Sequence, residues 1–308
     1  YFSLNLNHIF KTTKVLSLNF LILLFLIVFP GFVYSFLKFV STKINESQKV
    51  SIDPRANYPT YKDKEFSNQL FREYANVMFN VPITYYAFIG WRRNNSKLKH
   101  IEVQGRYNTR RSLGQKLNQS SWFFGGSSIW GTGASDTQSI PSIYHKLTDK
   151  KVYNFAEPAW NSRQSLNQLI NVIADGYIPK EVIFFDGVND ISHGCRSENK
   201  RLANHAYENL IRNKLSSNSK QLISQEIKNF VLKPYIKISE KFIFTPKKTN
   251  LYDCDKDLNK AKSIAKHLIS NWYIAYLIST ENQSQFLAIL QPTIYDSNVS
   301  FDYFSRFG

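Results

Sequence analysis

A serine that directly follows two glycines is the first feature of this sequence that could do chemistry. The apolar run SWFFGG ends in Gly125 and Gly126, and Ser127 comes next. The glycines allow the backbone to turn sharply, which would leave Ser127 exposed at the start of a helix. A serine in that place can act as a nucleophile, with backbone N–H groups available to an oxyanion. A phosphate-binding turn and a simple helix cap use the same residue types, so the segment alone leaves all three roles open.

Small and amide residues follow two further apolar runs. The run KVYNF leads into Ala156, and the run EVIFFD leads into Gly187, Asn189 and Asp190. An asparagine side chain aimed at a developing oxyanion is a common device for electrostatic stabilisation. Taken singly, these segments are explained as well by an αβ-turn and an Asx-turn. Their order, and their shared position after an apolar run, indicates one site.

The elements that would position these residues begin at residue 119, where short apolar runs alternate with amphipathic helical stretches. In the stretch SRQSLNQLINVIADG, the apolar residues that share one helical face are Leu166, Leu169, Ile170 and Ile173. The alternation predicts βαβ units and a parallel sheet, in which functional residues gather at the carboxyl ends of the strands. A mostly helical section over about 200–282 and a fourth strand-like run, QFLAILQP, complete the pattern.

In this order the segments resemble the sequence blocks of the SGNH (GDSL-like) hydrolase superfamily. The segment 124–133 is similar to the Gly-Gly-Ser variant of the first block, and residues 187–190 match the Gly-x-Asn-Asp block in full. The stretch 85–113 is also similar to the region before the first block in membrane-anchored members. The resemblance covers about residues 119–292 and implies a three-layer α/β/α fold with a flavodoxin-like parallel sheet.

The resemblance also implies a role for each residue of the site. Ser127 would be the nucleophile, and its own N–H, the N–H of Ala156 and the side chain of Asn189 would form the oxyanion hole. The alanine at 156 departs from the glycine of the family, but a backbone donor survives that change unless the turn needs a positive φ. The expected neighbours in the active site are Gly126, Asp190 and His193.

The implied reaction is acyl transfer through a seryl ester, as hydrolysis of an ester or as transfer of the acyl group to a sugar hydroxyl. Neither a cofactor nor a metal is expected. Membrane tethering favours an acylated small molecule or an ester of a cell-envelope glycan as the substrate. The alternative is a non-catalytic membrane-anchored protein that uses the same fold to bind a glycan or a partner.

The last block of the family, Asp-x-x-His, has no match in this chain. Asp296 and Asp302 lack a histidine three residues on, and the chain stops at Gly308 without having begun with methionine. We therefore expect a C-terminally truncated sequence that lacks the last strand and helix of the fold, together with the catalytic histidine and aspartate. His193, four residues after Asn189, is a candidate for a substitute base, and a polar loop residue near the cleft is the other interpretation.

An uncharged stretch of 23 residues from Val15 to Leu37 lies between Lys14 and Lys38. As a helix it would span roughly 35 Å, enough to cross a hydrocarbon core of ~30 Å. Because no small-residue cleavage site follows it, we interpret it as the uncleaved anchor of a single-pass membrane protein, with a buried core helix as the alternative. The flanking lysines do not decide the orientation, and we expect the following domain to be extracytoplasmic.

The sequence predicts three regions. An N-terminal transmembrane anchor occupies residues 1–40, and a linker and N-terminal extension occupy residues 41–118. The polar start of this extension, with Pro54 and Pro59, suits a linker. An incomplete SGNH hydrolase-like domain is predicted over residues 119–308.

The composition limits the other classes of function. With 308 residues, of which 43% are hydrophobic and 15% aromatic, the chain can bury a substantial core and is not a disordered protein. A formal net charge of +16 favours an anionic partner such as phospholipid headgroups or acidic glycans. No nucleic-acid-binding motif is present, so no nucleic acid partner is expected. The two cysteines, Cys195 and Cys254, do not form a zinc-binding cluster, and the sequence leaves a disulfide and two separate thiols equally open.

Overall fold

The structure is a computed structural model that describes residues 2–48, 53–61, 63–199, 205–216 and 252–292. The chain divides into two compact units. One comprises residues 1–51 and 213–249, and the other comprises residues 52–212 and 250–308.

The described part of the chain contains both α-helices and β-strands, each numbered in chain order. The α-helices are α1 (Phe2–Gln48), α2 (Lys64–Phe79), α3 (Ser127–Trp130), α4 (Ile140–Thr148), α5 (Ser162–Ala174), α6 (Val188–Gly194), α7 (Glu208–Ser216) and α8 (Leu258–Glu281). The β-strands are β1 (Ile83–Tyr86), β2 (Gly90–Arg93), β3 (Ser96–Lys97), β4 (Glu102–Gln104), β5 (Thr109–Arg110), β6 (Ser121–Gly125), β7 (Val152–Asn154), β8 (Glu181–Asp186) and β9 (Gln285–Leu290). A short 3₁₀ helix spans Pro54–Asn57.

The first unit contains α1, a continuous helix that runs through Pro30. Its segment Lys11–Leu37 is long and apolar enough to cross a membrane, judged by length and composition, and it includes the predicted span. Large apolar side chains along this segment are exposed, among them Phe20 at 63% and Phe32 at 62%. A long helix that is apolar on all sides, rather than along one stripe, is typical of a membrane span or of a buried core helix.

Four parallel strands form the main sheet of the second unit, in the order β7-β6-β8-β9. Ser121 at the start of β6 is aligned with Val152 of β7 and with Glu181 of β8, and Glu181 is aligned with Gln285 of β9. Because the strands are parallel and start at the same level, their carboxyl ends lie along one edge. The predicted mixed α/β architecture with a parallel sheet is confirmed.

Helices cover both faces of this sheet over β6, β7 and β8, whereas the edge strand β9 leaves the apolar side chains of Leu287 and Ile289 exposed. Trp122, Phe124 and Phe184 pack in one cluster with residues of α5 and α8. Phe123 and Ile183, which alternate with them along the strands, pack in a second cluster with residues of α2 and α3. Near-continuous apolar strands are expected where helices cover a parallel sheet on both sides.

Helix α5 buries a face that is shifted from the predicted one. Leu166 and Leu169 are buried and Ile173 is partly buried, whereas Ile170 is 41% exposed. Val172, which was not among the predicted positions, is fully buried. Successive residues of a helix are 100° apart, so Val172 and Ile170 point about 160° apart around the helix axis. The burial of Val172 therefore places the centre of the buried face away from Ile170.

Residues that precede position 118 belong to the same core. Leu70 of α2 and Val103 of β4 are buried in the cluster that contains Phe123 of β6. β1 pairs with β2 in one antiparallel sheet, and β3, β4 and β5 form another. The predicted division at residue 118 therefore does not separate two folding units. β3 and β5 have two residues each, too few to produce the alternation that marks a strand in a sequence.

Cys195 and Cys254 form a disulfide, which resolves the alternatives that the sequence left open. The Asp253 N–H donates to the Cys195 carbonyl at 3.0 Å. Lys260 Nζ lies 2.8 Å from the Asp253 carboxylate and donates to the Arg196 carbonyl at 2.9 Å. These contacts join the end of α6 to the start of α8.

We expect the disulfide to stabilise the second unit. A bond across a sequence separation of 59 residues contributes about 4 kcal/mol in the chain-entropy description, because it restricts the unfolded chain. Replacing both cysteines with serine should therefore lower the midpoint of thermal unfolding measured by circular dichroism. Intact-mass measurement of the wild type provides a direct check, because reduction of a disulfide adds the mass of two hydrogen atoms. An unchanged mass on reduction would contradict the bond.

Candidate functional site

The turn between β6 and α3 depends on its two glycines. Gly125 has a φ of +153°, and a Cβ at this position would overlap the carbonyl oxygen of Phe185 on β8. A Cβ at Gly126 would overlap the side-chain nitrogen of Asn189. A larger residue at either position would push β8 or Asn189 away, so the glycines allow the close approach that brings Asn189 beside Ser127.

Ser127 is the first residue of α3 and is partly exposed. Across the ranges that the structure describes, its hydroxyl makes no hydrogen bond to another side chain. The neighbouring Ser128 differs, because its hydroxyl oxygen accepts a hydrogen bond from Gln291 Nε2 at 2.8 Å. Ser127 thus presents a partly exposed hydroxyl that no other described side chain binds.

Asn189 reaches the same corner from α6. Its Nδ2 donates to the carbonyl oxygen of Trp160 at 2.7 Å and lies against Gly126. An amide nitrogen carries two N–H groups, so a second donor remains for another acceptor. The structure therefore brings together the three segments that the sequence singled out: the glycine turn with Ser127, the loop after β7, and Asn189.

Ala156, the predicted backbone donor, lies inside the protein. It is completely buried, and its N–H donates to Asn154 Oδ1 at 3.1 Å. Asn154 Nδ2 in turn donates to the Ile129 carbonyl of α3 at 3.1 Å. The Ala156 N–H is thus occupied and does not face an external oxyanion.

Ala159 of the same loop offers a different backbone N–H. It is partly exposed and has a φ of +67°, in the left-handed region that residues with a side chain rarely adopt. Its carbonyl accepts a hydrogen bond from His193 Nε2 at 3.0 Å, and the next carbonyl, that of Trp160, is the one bound by Asn189. Its N–H makes no hydrogen bond within the described part. Sequence reasoning missed this residue, because an alanine after Pro158 carries no signal of a positive φ.

His193 is 5% exposed and supports this loop. Nε2 carries the proton, since it donates to the Ala159 carbonyl, and Nδ1 has no partner among the described residues. Burial lowers the pKa of His193; the bond to Ala159 opposes the shift, and Arg196 and His205 add to it. His193 is therefore neutral at neutral pH, and no hydrogen bond joins it to Ser127 in the described ranges.

Asp190 belongs to a buried polar network. Its carboxylate accepts hydrogen bonds from the Ser162 hydroxyl at 2.5 Å and the Ser162 N–H at 3.1 Å. Asn271 Nδ2 of α8 donates to the same Ser162 hydroxyl at 2.8 Å. Asp190 thus fixes the start of α5 against α6.

A second buried carboxyl group, that of Asp186 at the end of β8, lies close enough to Asp190 to be affected by its charge. Its Oδ1 accepts a hydrogen bond from the Ser165 hydroxyl at 3.2 Å. Burial raises the pKa of Asp186 well above its usual range, and the negative charge of Asp190 raises it further. Burial also raises the pKa of Asp190, but the hydrogen bonds from Ser162 oppose that shift. Of the pair, Asp186 is therefore the carboxyl group that releases its proton at the higher pH.

Three cavities of the second unit lie away from this corner. One of about 580 Å³ and one of about 320 Å³ share Lys150, Lys180 and Glu181 at the amino ends of the strands. A third of about 650 Å³ lies along α2. None of the three is lined by Ser127 or Asn189. Within the described residues, no group of three His, Cys, Asp or Glu side chains could hold a metal ion.

No model of a known protein family matches the chain, and no curated protein is significantly similar to it. The functional assignment therefore depends on the geometry of the site and on the pattern of its sequence segments.

We expect Asp186 to make the stability of the protein depend on pH. Its pKa in the folded state lies above that of an unfolded aspartate, about 3.9, so the folded state binds a proton that the unfolded state releases. Stability should therefore fall as pH rises above about 4, by up to about 1.4 kcal/mol per pH unit, until the folded-state pKa is passed. Asp186→Asn mimics the protonated group and should remove this slope.

Urea unfolding of the wild type and of Asp186→Asn at several pH values measures the slope. The two curves should meet at low pH and separate as pH rises, with the variant the more stable. Parallel curves across this range would show that Asp186 does not hold the proton.

Proposed function

We propose that this protein is a membrane-anchored acyl hydrolase or O-acyltransferase of the SGNH type, which acts through a seryl ester on Ser127. The observation that carries the proposal is the contact between the Gly126 backbone and the Asn189 side-chain amide. This contact supplies a hydrogen-bond donor next to a partly exposed, uncommitted serine hydroxyl. A serine beside a preorganised amide donor supplies two of the parts that acyl transfer uses, the nucleophile and an oxyanion donor, and the third part is a base.

The position of this contact within the sheet supports the proposal. The strands β6, β7, β8 and β9 are the first to fourth strands of this sheet along the chain. Their spatial order across the sheet is second, first, third, fourth. This is the first part of the flavodoxin-like order 2-1-3-4-5, in which ligands bind where the chain switches direction, between the first and third strands. Ser127 follows the first of these strands and Asn189 the third.

In the proposed reaction, the Ser127 hydroxyl oxygen attacks the carbonyl carbon of an acyl ester and its proton passes to a base. The carbonyl oxygen of the substrate becomes an oxyanion, which accepts hydrogen bonds from the Ser127 N–H and from the second N–H of Asn189 Nδ2. We place the Ala159 N–H, rather than that of Ala156, as the other backbone donor. The alcohol then leaves with a proton, and water or a sugar hydroxyl attacks the seryl ester to release the acyl group.

The setting of the site suggests the class of substrate. The helix segment Lys11–Leu37 would hold the enzyme at a membrane. Disulfides persist mainly outside the cytoplasm, so the Cys195–Cys254 bond favours an extracytoplasmic catalytic unit. The net charge of +16 would favour approach to an anionic surface or to an acidic glycan. An acylated glycan of the cell envelope meets these conditions.

A second candidate is a non-catalytic binding protein with the same fold. The observation in its favour is that no hydrogen bond joins the Ser127 hydroxyl to a histidine in the described ranges, while His193 is engaged with Ala159. Without a base, the serine would be a weak nucleophile. A test of Ser127 reactivity separates the two candidates.

We expect a fluorophosphonate probe to label the full-length protein, with its catalytic histidine, at Ser127, and we expect Ser127→Ala to abolish this labelling. Ser128→Ala is the matched control, because it removes the neighbouring hydroxyl and its hydrogen bond to Gln291 but not the proposed nucleophile. Peptide mass mapping locates the label. A folded wild type that resists the probe over a wide pH range would reject the enzyme in favour of the binding protein.

We expect Asn189→Ala to slow labelling about 10²- to 10³-fold, since it removes one oxyanion donor. Asn189→Asp should slow it at least as much, because a carboxylate offers no donor and repels an oxyanion. Rates are compared with those of Ser128→Ala under the same conditions. Wild-type rates in both Asn189 variants would remove this residue from the mechanism.

A further inference from the structure

Two neighbouring arginines of β2 are buried next to the loop that carries Ala159. Arg92 is 0% exposed and Arg93 is 4% exposed. Arginine is rarely buried to this degree unless its charge is paired or fully hydrogen-bonded. Successive side chains of a strand point in opposite directions, yet both guanidinium groups reach the segment 155–160.

Arg92 holds this loop at both ends. Its Nη2 donates to the Phe155 carbonyl at 2.5 Å, and its guanidinium carbon lies 4.3 Å from the ring centre of Trp160. Its Nε donates to Gln168 Oε1 of α5 and its Nη1 to the Asn108 carbonyl, each at 3.2 Å. One buried cation thus joins the loop to the helix that follows it.

Arg93 connects the loop to the turn that precedes the proposed nucleophile. It forms an ion pair with Glu157, and it donates from Nε to the Val77 carbonyl of α2 at 3.2 Å. The Glu157 N–H donates to the Gly125 carbonyl at 3.2 Å, and the Glu157 carbonyl accepts the Trp160 N–H at 3.1 Å. A continuous set of polar contacts therefore runs from Arg93 through Glu157 to the glycine turn.

Ala159 is the position in the loop that needs such support. Its φ of +67° is unfavourable for a residue with a Cβ, and such a conformation persists only where the surroundings hold it. His193 and Asn189 bind the carbonyls of Ala159 and Trp160. The two arginines hold the loop through its other residues.

Arg92 and Arg93 together carry more positive charge than the Glu157 carboxylate beside them can balance. Arg92 and Arg93 lie near one carboxylate, that of Glu157. Burial lowers the pKa of Arg92 to about 10, and Glu157 opposes the shift, so Arg92 stays protonated at neutral pH. A fixed positive charge in a water-poor region favours a reaction in which negative charge develops nearby.

We infer that Arg92 and Arg93 are positioning residues for the acyl transfer: they hold the segment 155–160 in the conformation that leaves the Ala159 N–H available to the oxyanion. The catalytic part of this inference rests on the proposed function. The structural part, that the arginines hold the loop, rests on the contacts alone and can be measured separately.

The test uses Arg92→Lys and Arg93→Lys in the full chain, since lysine keeps the charge but loses the planar set of donors. Arg55→Lys is the matched control. Arg55 also forms an ion pair, with Asp53 at 2.6 Å, but it packs against Phe71 and Tyr74 rather than against the loop. Folding of each variant is checked by circular dichroism, and Glu157→Gln provides a second way to break the ion pair if a lysine variant does not fold.

Two quantities are measured. Hydrogen exchange followed by mass spectrometry reports the amides of segment 155–161, and the concentration dependence of fluorophosphonate labelling separates probe binding from the rate constant of inactivation. We expect exchange at Glu157 and Trp160 to accelerate about 10-fold or more, and the rate constant to fall about 10- to 100-fold with binding of the probe unchanged. Arg55→Lys should change neither quantity.

A rescue experiment distinguishes positioning from general destabilisation. Glycine adopts a positive φ without support, so adding Ala159→Gly to Arg93→Lys should restore part of the lost labelling rate. Folded lysine variants with wild-type exchange and wild-type rates would overturn the inference. Faster exchange in the variants, together with a wild type that never labels, would keep the loop-holding role and reject the proposed function instead.

Discussion

Two backbone segments approach each other closely at the carboxyl edge of the sheet, and the site is arranged around this contact. The chain leaves β6 at Gly125 against a carbonyl of β8 and passes the Asn189 side chain at Gly126, with no room for a Cβ at either residue. Ser127 is consequently the first residue after the strand that can present a functional group. The Asn189 amide lies against the preceding Gly126, because parallel pairing of β6 with β8 brings the residues that follow these strands to the same edge.

The loop between β7 and α5 completes this edge under a different constraint. Its residues Phe155, Glu157 and Trp160 are almost completely buried, although the loop carries many polar backbone groups. Buried polar groups are costly unless they are bonded. Arg92 and Arg93 supply the donors, and they come from a hairpin that precedes the sheet in the chain. That hairpin is therefore part of the architecture of the site and not a spacer in front of it.

The polar network of Asp186 and Asp190 shows how the cost of burying a polar group without hydrogen bonds applies to carboxyl groups. Asp190 accepts hydrogen bonds from Ser162, which lowers the cost of its charge, whereas Asp186 has fewer donors and a charged neighbour. The negative charge of Asp190 disfavours a second charge on Asp186, which favours the protonated form of Asp186. This network joins α5, α6 and α8, so the residues that follow β8 are held by polar contacts within an otherwise apolar layer.

The sequence alone determined the features that depend on neighbouring residues: the four strands, the apolar N-terminal helix, and the placement of Ser127 and Asn189 after strand ends. Short-range periodicity encodes these features, and parallel pairing then brings strand ends together. Only the tertiary structure decided which groups meet across long separations. It joined Cys195 to Cys254, occupied the Ala156 N–H, and left Ala159 partly exposed at a positive φ. It also buried the arginines of β2. Such outcomes depend on which distant groups can satisfy each other's hydrogen bonds and charges, and no local pattern carries that information.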